Sequence, residues 1–213
     1  MDGLAGIVGL SLAVSGAATM IATLLGIGIA ALLALTSFPG RSALLTLINA
    51  LLGLPPVVVG LILYLLLSRS GPLGMLGLLF TPAAMVVAQA VLALPIVAVL
   101  AHRALRSGWR RFGPDLQACG ASRWRALPEL LRLQRRALAT AILAGFGRSI
   151  SEVGAILIVG GNIDGFTRSM TTAIALETSK GNLDMALGLG GILIAISVSV
   201  SACVLLLTGR LDR

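Results

Sequence analysis

The sequence predicts an all-α protein that crosses a lipid bilayer several times, and three observations predict it. Of 213 residues, 57% are hydrophobic and only 11% are charged, against roughly 25% charged in an ordinary soluble domain. Uncharged apolar runs recur that reach the ~20 residues a helix needs to cross the hydrocarbon core. The charge is also local: residues 102–136 hold nine arginines against Asp115 and Glu129, which is +7 of the chain's net +8. This composition excludes a soluble enzyme, a disordered chain and a free nucleic-acid binder. A basic stretch can signal nucleic acid, but in a membrane protein it reads as a cytoplasmic loop.

Five spans follow, all within a single membrane domain, 1–213. The first run, 4–35, carries no charge and is long enough to span with tilt. Its length, and Asp2 where a basic residue belongs, argue against a signal peptide. Ser37, Pro39, Gly40 and Arg41 form a turn. The second run is 44–67, and Pro55-Pro56 inside it should break or kink the helix, because proline removes backbone donors. Residues 68–74 are a turn, and 74–81 form a short re-entrant or interfacial piece. The third run is 82–101, the fourth is 137–159 and the fifth is 185–207, with 209–213 a polar tail. Between the third and fourth lies the basic loop 102–136. Residues 160–165 are loop sequence, and 171–177 is too short to span.

With the basic loop inside, the N-terminus lies outside and the C-terminus in the cytoplasm. Arg41, the nine loop arginines, Arg210 and Arg213 then make twelve inside, against Arg69, Arg168 and Lys180 outside. The opposite orientation would reverse that bias. Glycine is abundant, as in Gly26 and Gly28, Gly145 and Gly147, and Gly188, Gly190 and Gly191. Small residues let membrane helices approach closely. Cys119 and Cys203 fall in different settings and are read as bystanders, with no disulfide, metal site or cofactor. No internal repeat supports an inverted-repeat carrier.

Within the basic loop, Pro114 and Asp115 can start a helix, Gly120 can end it, and Ser122 can cap the next. The expected element is a short helix, a tight turn and a second helix leading into the fourth span. Trp109 reads as a headgroup anchor and His102 as a solvated border residue. In the fourth run, Arg148 and Glu152 stand four apart and can pair. Intramembrane charges are costly and by default mark function. Either Arg148, with the Ser149 and Ser151 hydroxyls, meets a passing solute, or the pair only fixes helix packing. Asn162, Arg168, Thr171 and Thr172 fall at the outer end, as vestibule, partner contact or ordinary turn.

The stretch Asp115-Leu-Gln117-Ala118-Cys-Gly120-Ala121-Ser122-Arg123-Trp124-Arg125 resembles the EAA loop of ABC-importer permeases, whose pattern is Glu-Ala-Ala, three residues, then Gly. Gly120 to Trp124 match well; the Glu-Ala-Ala slots hold Pro114, Asp115 and Leu116, so the acid is one place off. The segment 54–74, Leu79 to Pro82, Glu152 to Ala155, Val159 to Ile163 and Thr167 to Thr178 are similar to the molybdate and tungstate branch, most of all to tungstate-importer permeases.

The resemblance implies a type I importer fold with a cytoplasmic coupling helix that seats in an ATPase subunit. It also implies a homodimer, two ATPase subunits inside, a soluble oxyanion-binding protein outside and lipid all around. The transport it implies is inward, by alternating access. No Walker A is present, since Lys180 precedes Gly181 without the required context; ATP hydrolysis is therefore expected on a separate subunit. The alternatives are the same machine carrying molybdate or sulfate, an ATP-independent channel or secondary carrier, and a scaffold that carries nothing.

Overall fold

A computed structural model describes the backbone of residues 2–210 and the side chains of 3–204 and 206. Arg213 and the side chains of Asp2 and Arg210 lie outside the described residues. Among those described, the chain is all helix with no strand: α1 Asp2–Leu35, α2 Arg41–Ala50, α3 Pro56–Leu67, α4 Pro82–Ala118, α5 Leu127–Leu133, α6 Arg135–Ile150, α7 Gly154–Gly160, α8 Met170–Ser179 and α9 Leu183–Arg210. Three of these, α1, α4 and α9, are long and apolar enough to cross a membrane. The pairs α2–α3 and α6–α7 are bent by 103° and 56°, and counting each pair as one span gives five.

The run 44–67 is therefore not one helix, and the break falls where the prolines put it. Leu54 (ψ 124) and Pro55 (ψ 123) leave the helical region, and Pro56 opens α3. A residue before proline is pushed towards extended backbone, and proline is tolerated at the first helical position. The run 137–159 is also divided, at residues 151–153, where no proline announces it. The two breaks adjoin: a Cβ on Gly154 would stand 3.0 Å from Val57 Cγ2. From there α3 and α7 pack together, with Gly60 so close to α7 that a Cβ would come within 2.8 Å of the Ala155 Cα.

The third run does not stop at 101. α4 continues for 37 residues, so no new helix starts at Pro114. Apolar positions 101, 105, 109 and 116 continue at helical spacing and pack with Ala30, Ala31 and Leu35 of α1 and Leu130 of α5. That burial holds the lower half of α4 helical through Pro114, whose missing N–H leaves only one ladder bond unmade.

α1 and α4 lie alongside each other, parallel in direction. At the end marked by Thr81, Val14 of α1 meets Ala84, Met85 and Leu92 of α4 together with Val59 and Ala155. The opposite end carries Leu35, Leu105 and the arginine-rich segment. Midway, α1, α4 and α6 converge on Val97. A Cβ at Gly26 would lie 3.0 Å from Val97 Cγ1, and one at Gly145 would lie 2.7 Å from Val97 Cγ2. Gly28, Gly147, Gly188, Gly190 and Gly191 have open space at that position, so close packing within one chain accounts for only part of the glycine content. α9 rests against α6 and α8 and leaves Leu187, Ile194 and Val198 exposed.

Candidate functional site

The loop after α4 is built by its glycine. α4 ends in a Schellman turn: the Ala121 N–H donates to the Leu116 carbonyl at 3.0 Å and the Gly120 N–H to the Gln117 carbonyl at 2.9 Å. This turn places Gly120 at φ +80, a conformation open to glycine and strained for L side chains. The Ser122 hydroxyl then accepts the Arg125 N–H at 3.3 Å, and one helical turn leads into α5. Ser122 thus caps as the residue type predicts, although α5 itself begins only at Leu127. Asp115, Gln117, Ala118, Gly120, Ser122, Arg123, Trp124 and Arg125 are exposed and Ala121 is half-buried. Trp124 keeps 51% of its surface accessible. An exposed tryptophan on a rigid turn is the kind of group that anchors a protein contact.

Arg123 ties this turn to a span. Its Nη1 donates to the Leu35 carbonyl at 3.1 Å, and its guanidinium lies 5.8 Å from the Trp109 ring centroid. Arg41 Nε donates to the Leu33 carbonyl at 2.7 Å. The last carbonyls of a helix lack internal partners and carry its negative dipole end, so arginine is suited to both places. The sequence offered no signal for the Arg123 contact, which bridges 88 positions. Trp109 is correspondingly a packing residue of α4 rather than a free headgroup anchor. His102 is not a solvated border residue either: it is 5% exposed, because α1 and α2 cover that face of α4.

The second cluster surrounds the α6–α7 break. Arg148 Nη1 pairs with Glu152 Oε2 at 2.5 Å, but not along one helix face as the spacing suggests. Ile150 is the last residue of α6, and the pair closes over that helix end. Glu152 Oε1 accepts the Ala155 N–H at 2.9 Å, and the Glu152 carbonyl accepts the Thr171 hydroxyl at 2.7 Å. Glu152 is 2% exposed and joins α6, α7 and α8. Ser149 is buried, and its hydroxyl has no hydrogen-bond partner among the described residues. Ser151 is exposed and donates to the Gly147 carbonyl at 2.8 Å, so its proton is committed to its own helix. Thr172 and Ser169 form a capping box at the start of α8.

Arg148, Ser149, Glu152 and Thr171 thus come together, with Thr172 adjoining. Asn162 and Arg168 do not join them. Asn162 sits in a turn at φ 50, and Arg168 pairs with Asp164 at 2.7 Å, in the connection between α7 and α8. The described residues contain no group of three or more metal-ligating side chains.

Comparison with known proteins identifies the family. The family described as binding-protein-dependent transport system inner membrane component matches residues 22–213. The chain belongs to that family. Among its relatives is a probable anion ABC transporter permease protein of Haloferax volcanii, 42% identical, with 93% of this chain and 88% of that protein aligned. The tungstate uptake system permease protein TupB of Peptoclostridium acidaminophilum is 36% identical over 93% of this chain and 87% of its own length. The molybdenum transport system permease protein ModB of Escherichia coli is 31% identical over 96% and 91%. A binding-protein-dependent transporter permease is a multi-pass inner-membrane protein, and the helical architecture agrees with the type I importer permease fold.

Proposed function

We propose that this chain is the membrane subunit of an ATP-driven importer for a tetrahedral oxyanion, tungstate first, and that it works as a pair of identical copies. Two ATPase subunits would seat at the arginine-rich end, facing the cytoplasm, and an oxyanion-binding protein at the end of Phe80 and Thr81. The charge bias supports that orientation: in the five-span layout Arg41 and the nine arginines of 102–136 fall at one end, and Arg69, Arg168 and Lys180 at the other. Tungstate and molybdenum in the relatives' names support the cargo.

The observation that carries the reading is the Gly120–Trp124 turn, exposed to a partner yet fastened to α1 through Arg123 and continuous with α4. ATP binding would draw the two turns together. The pull would pass along α4 directly and into α1 through the Leu35 carbonyl, rocking both spans. Near the α6–α7 break, Arg148 would meet the anion as a guanidinium already paired with Glu152. A paired arginine holds an anion weakly, as conduction and release require.

The test is the purified chain in lipid with its ATPase and binding proteins. Loaded binding protein should stimulate ATP hydrolysis, and the most potent of tungstate, molybdate and sulfate names the cargo. Gly120→Arg should leave the complex assembled and abolish coupled uptake. Normal coupling in that variant removes the turn from the mechanism, and anion flux from the chain alone would favour a channel or carrier.

A further inference from the structure

A cavity of about 280 Å³ lies between the end of α1, the face of α2 and the lower half of α4. One side of its lining is apolar, including Leu45, Ile48 and Val99, and the other is basic, with His102, Arg103, Arg106 and Arg110. No carboxylate among the described residues lines it. His102 is buried, and its Nε2 has no hydrogen-bond partner among the described residues. Four cationic or donor side chains gathered without an acid leave a concentrated positive field, which folding alone does not favour.

The depth of this cavity suggests its occupant. From Pro82 to Ala101, α4 is an apolar stretch of 20 residues, about 30 Å at helical rise and so one hydrocarbon thickness. His102 then falls at the edge of the hydrocarbon, with Arg103, Arg106 and Arg110 at headgroup level. α2 runs at 103° to α3; with α3 upright, α2 lies along the interface, Ile48 buried beneath it and Leu47 exposed. The volume falls just under the ~300 Å³ where sites for drug-sized ligands begin. It suits a headgroup whose tails stay in the bilayer.

We propose that this cavity binds the phosphate of an acidic phospholipid, with Arg103, Arg106 and Arg110 as its cationic donors, His102 Nε2–H as a further donor, and Leu45, Ile48 and Val99 against the first acyl carbons. The site rests on the chain's seat in a bilayer and not on the coupling role of the Gly120 turn. A lipid held there would fix α2 against α4.

The test is native mass spectrometry of the full chain in detergent, titrated with dioleoyl-phosphatidylglycerol, dioleoyl-phosphatidylcholine and inorganic phosphate. Phosphatidylglycerol should be retained preferentially. In Arg103→Gln/Arg106→Gln that preference should fall about 25-fold, at roughly fivefold per interfacial arginine. The charge-matched Arg111→Gln/Arg132→Gln should keep it. An equal loss in both variants reduces the effect to net charge and overturns the site. Inorganic phosphate displacing the lipid at equal concentration makes the ligand a soluble anion and overturns the lipid. Should the first variant not fold, hydrogen exchange over residues 41–50 of the wild type decides: slowing by phosphatidylglycerol alone supports the site, and equal slowing by phosphatidylcholine sinks it.

Discussion

The chain treats its cations differently at its two ends. Towards the end of Thr81 three of them are neutralised, Arg148 by Glu152, Arg168 by Asp164 and Lys180 by Glu177. At the opposite end Arg103, Arg106 and Arg110 share a cavity with no acid among the described residues of its lining, while Arg41 and Arg123 spend their donors on helix carbonyls. A paired cation is a joint in the fold and a weak ligand for a passing anion. Cations left without counter-charge hold electrostatic free energy available to something that binds later. In the proposed importer the difference would separate a half that shapes a path from a half that meets lipid and partner subunits.

The sharpest way to break this contrast is to unpair the paired half. Glu152→Gln should lower stability by about 3 kcal/mol, the low end for breaking a buried pair because Arg148 keeps 28% exposure. Adding Arg148→Met should restore most of it. Unfolding in detergent measures both, and an unchanged midpoint for Glu152→Gln alone would show that the pair is no joint. At the other end, Gly120→Ala puts a side chain at φ +80, where strain is about 1–2 kcal/mol. Exchange of the amides of 116–126 should speed up with no change elsewhere.

Arg123→Ala removes the Leu35 contact and the Trp109 stacking, for about 1 kcal/mol at an exposed site. Its larger effect should be on ATP hydrolysed per anion moved; an unaltered ratio takes Arg123 out of the transmission path. The smallest effect concerns Glu177. Hydrogen bonds from Lys180 and Asn182 hold its carboxyl below the ordinary value of 4.5. Its contribution is therefore present above that value and fades as pH falls from it through the lower native value. Protection of the α8–α9 turn should weaken in that acid window, and Glu177→Gln should remove the pH dependence.

What could be read from the sequence was what single residues decide. Pro55-Pro56 breaks a helix wherever it stands, and Gly120 marks a left-handed turn; both took effect as their chemistry requires. The interruption at 151–153 escaped because its cause is remote: the Glu152 carbonyl is held by Thr171, 19 positions on. His102 sits among arginines in the chain, yet in space α1 and α2 lie over it. The continuity of α4 through Pro114 likewise depends on Leu35 and Leu130, which no local window contains. The turn at Gly120 could be expected from the chain; the Arg123 strut that fastens it to α1 could not.

The crowding around Val97 has a kinematic consequence. With glycine on either side of it, from α1 and from α6, the three helices touch there with no side chain to spare, so they can scissor about that level but not slide along it. Val97 is then a bearing. Distances between helices should change at the two mouths during a transport cycle and stay nearly constant at its depth. Gly145→Ala, whose methyl would stand 2.7 Å from Val97 Cγ2, would shim the bearing and shift the resting tilt without touching either mouth.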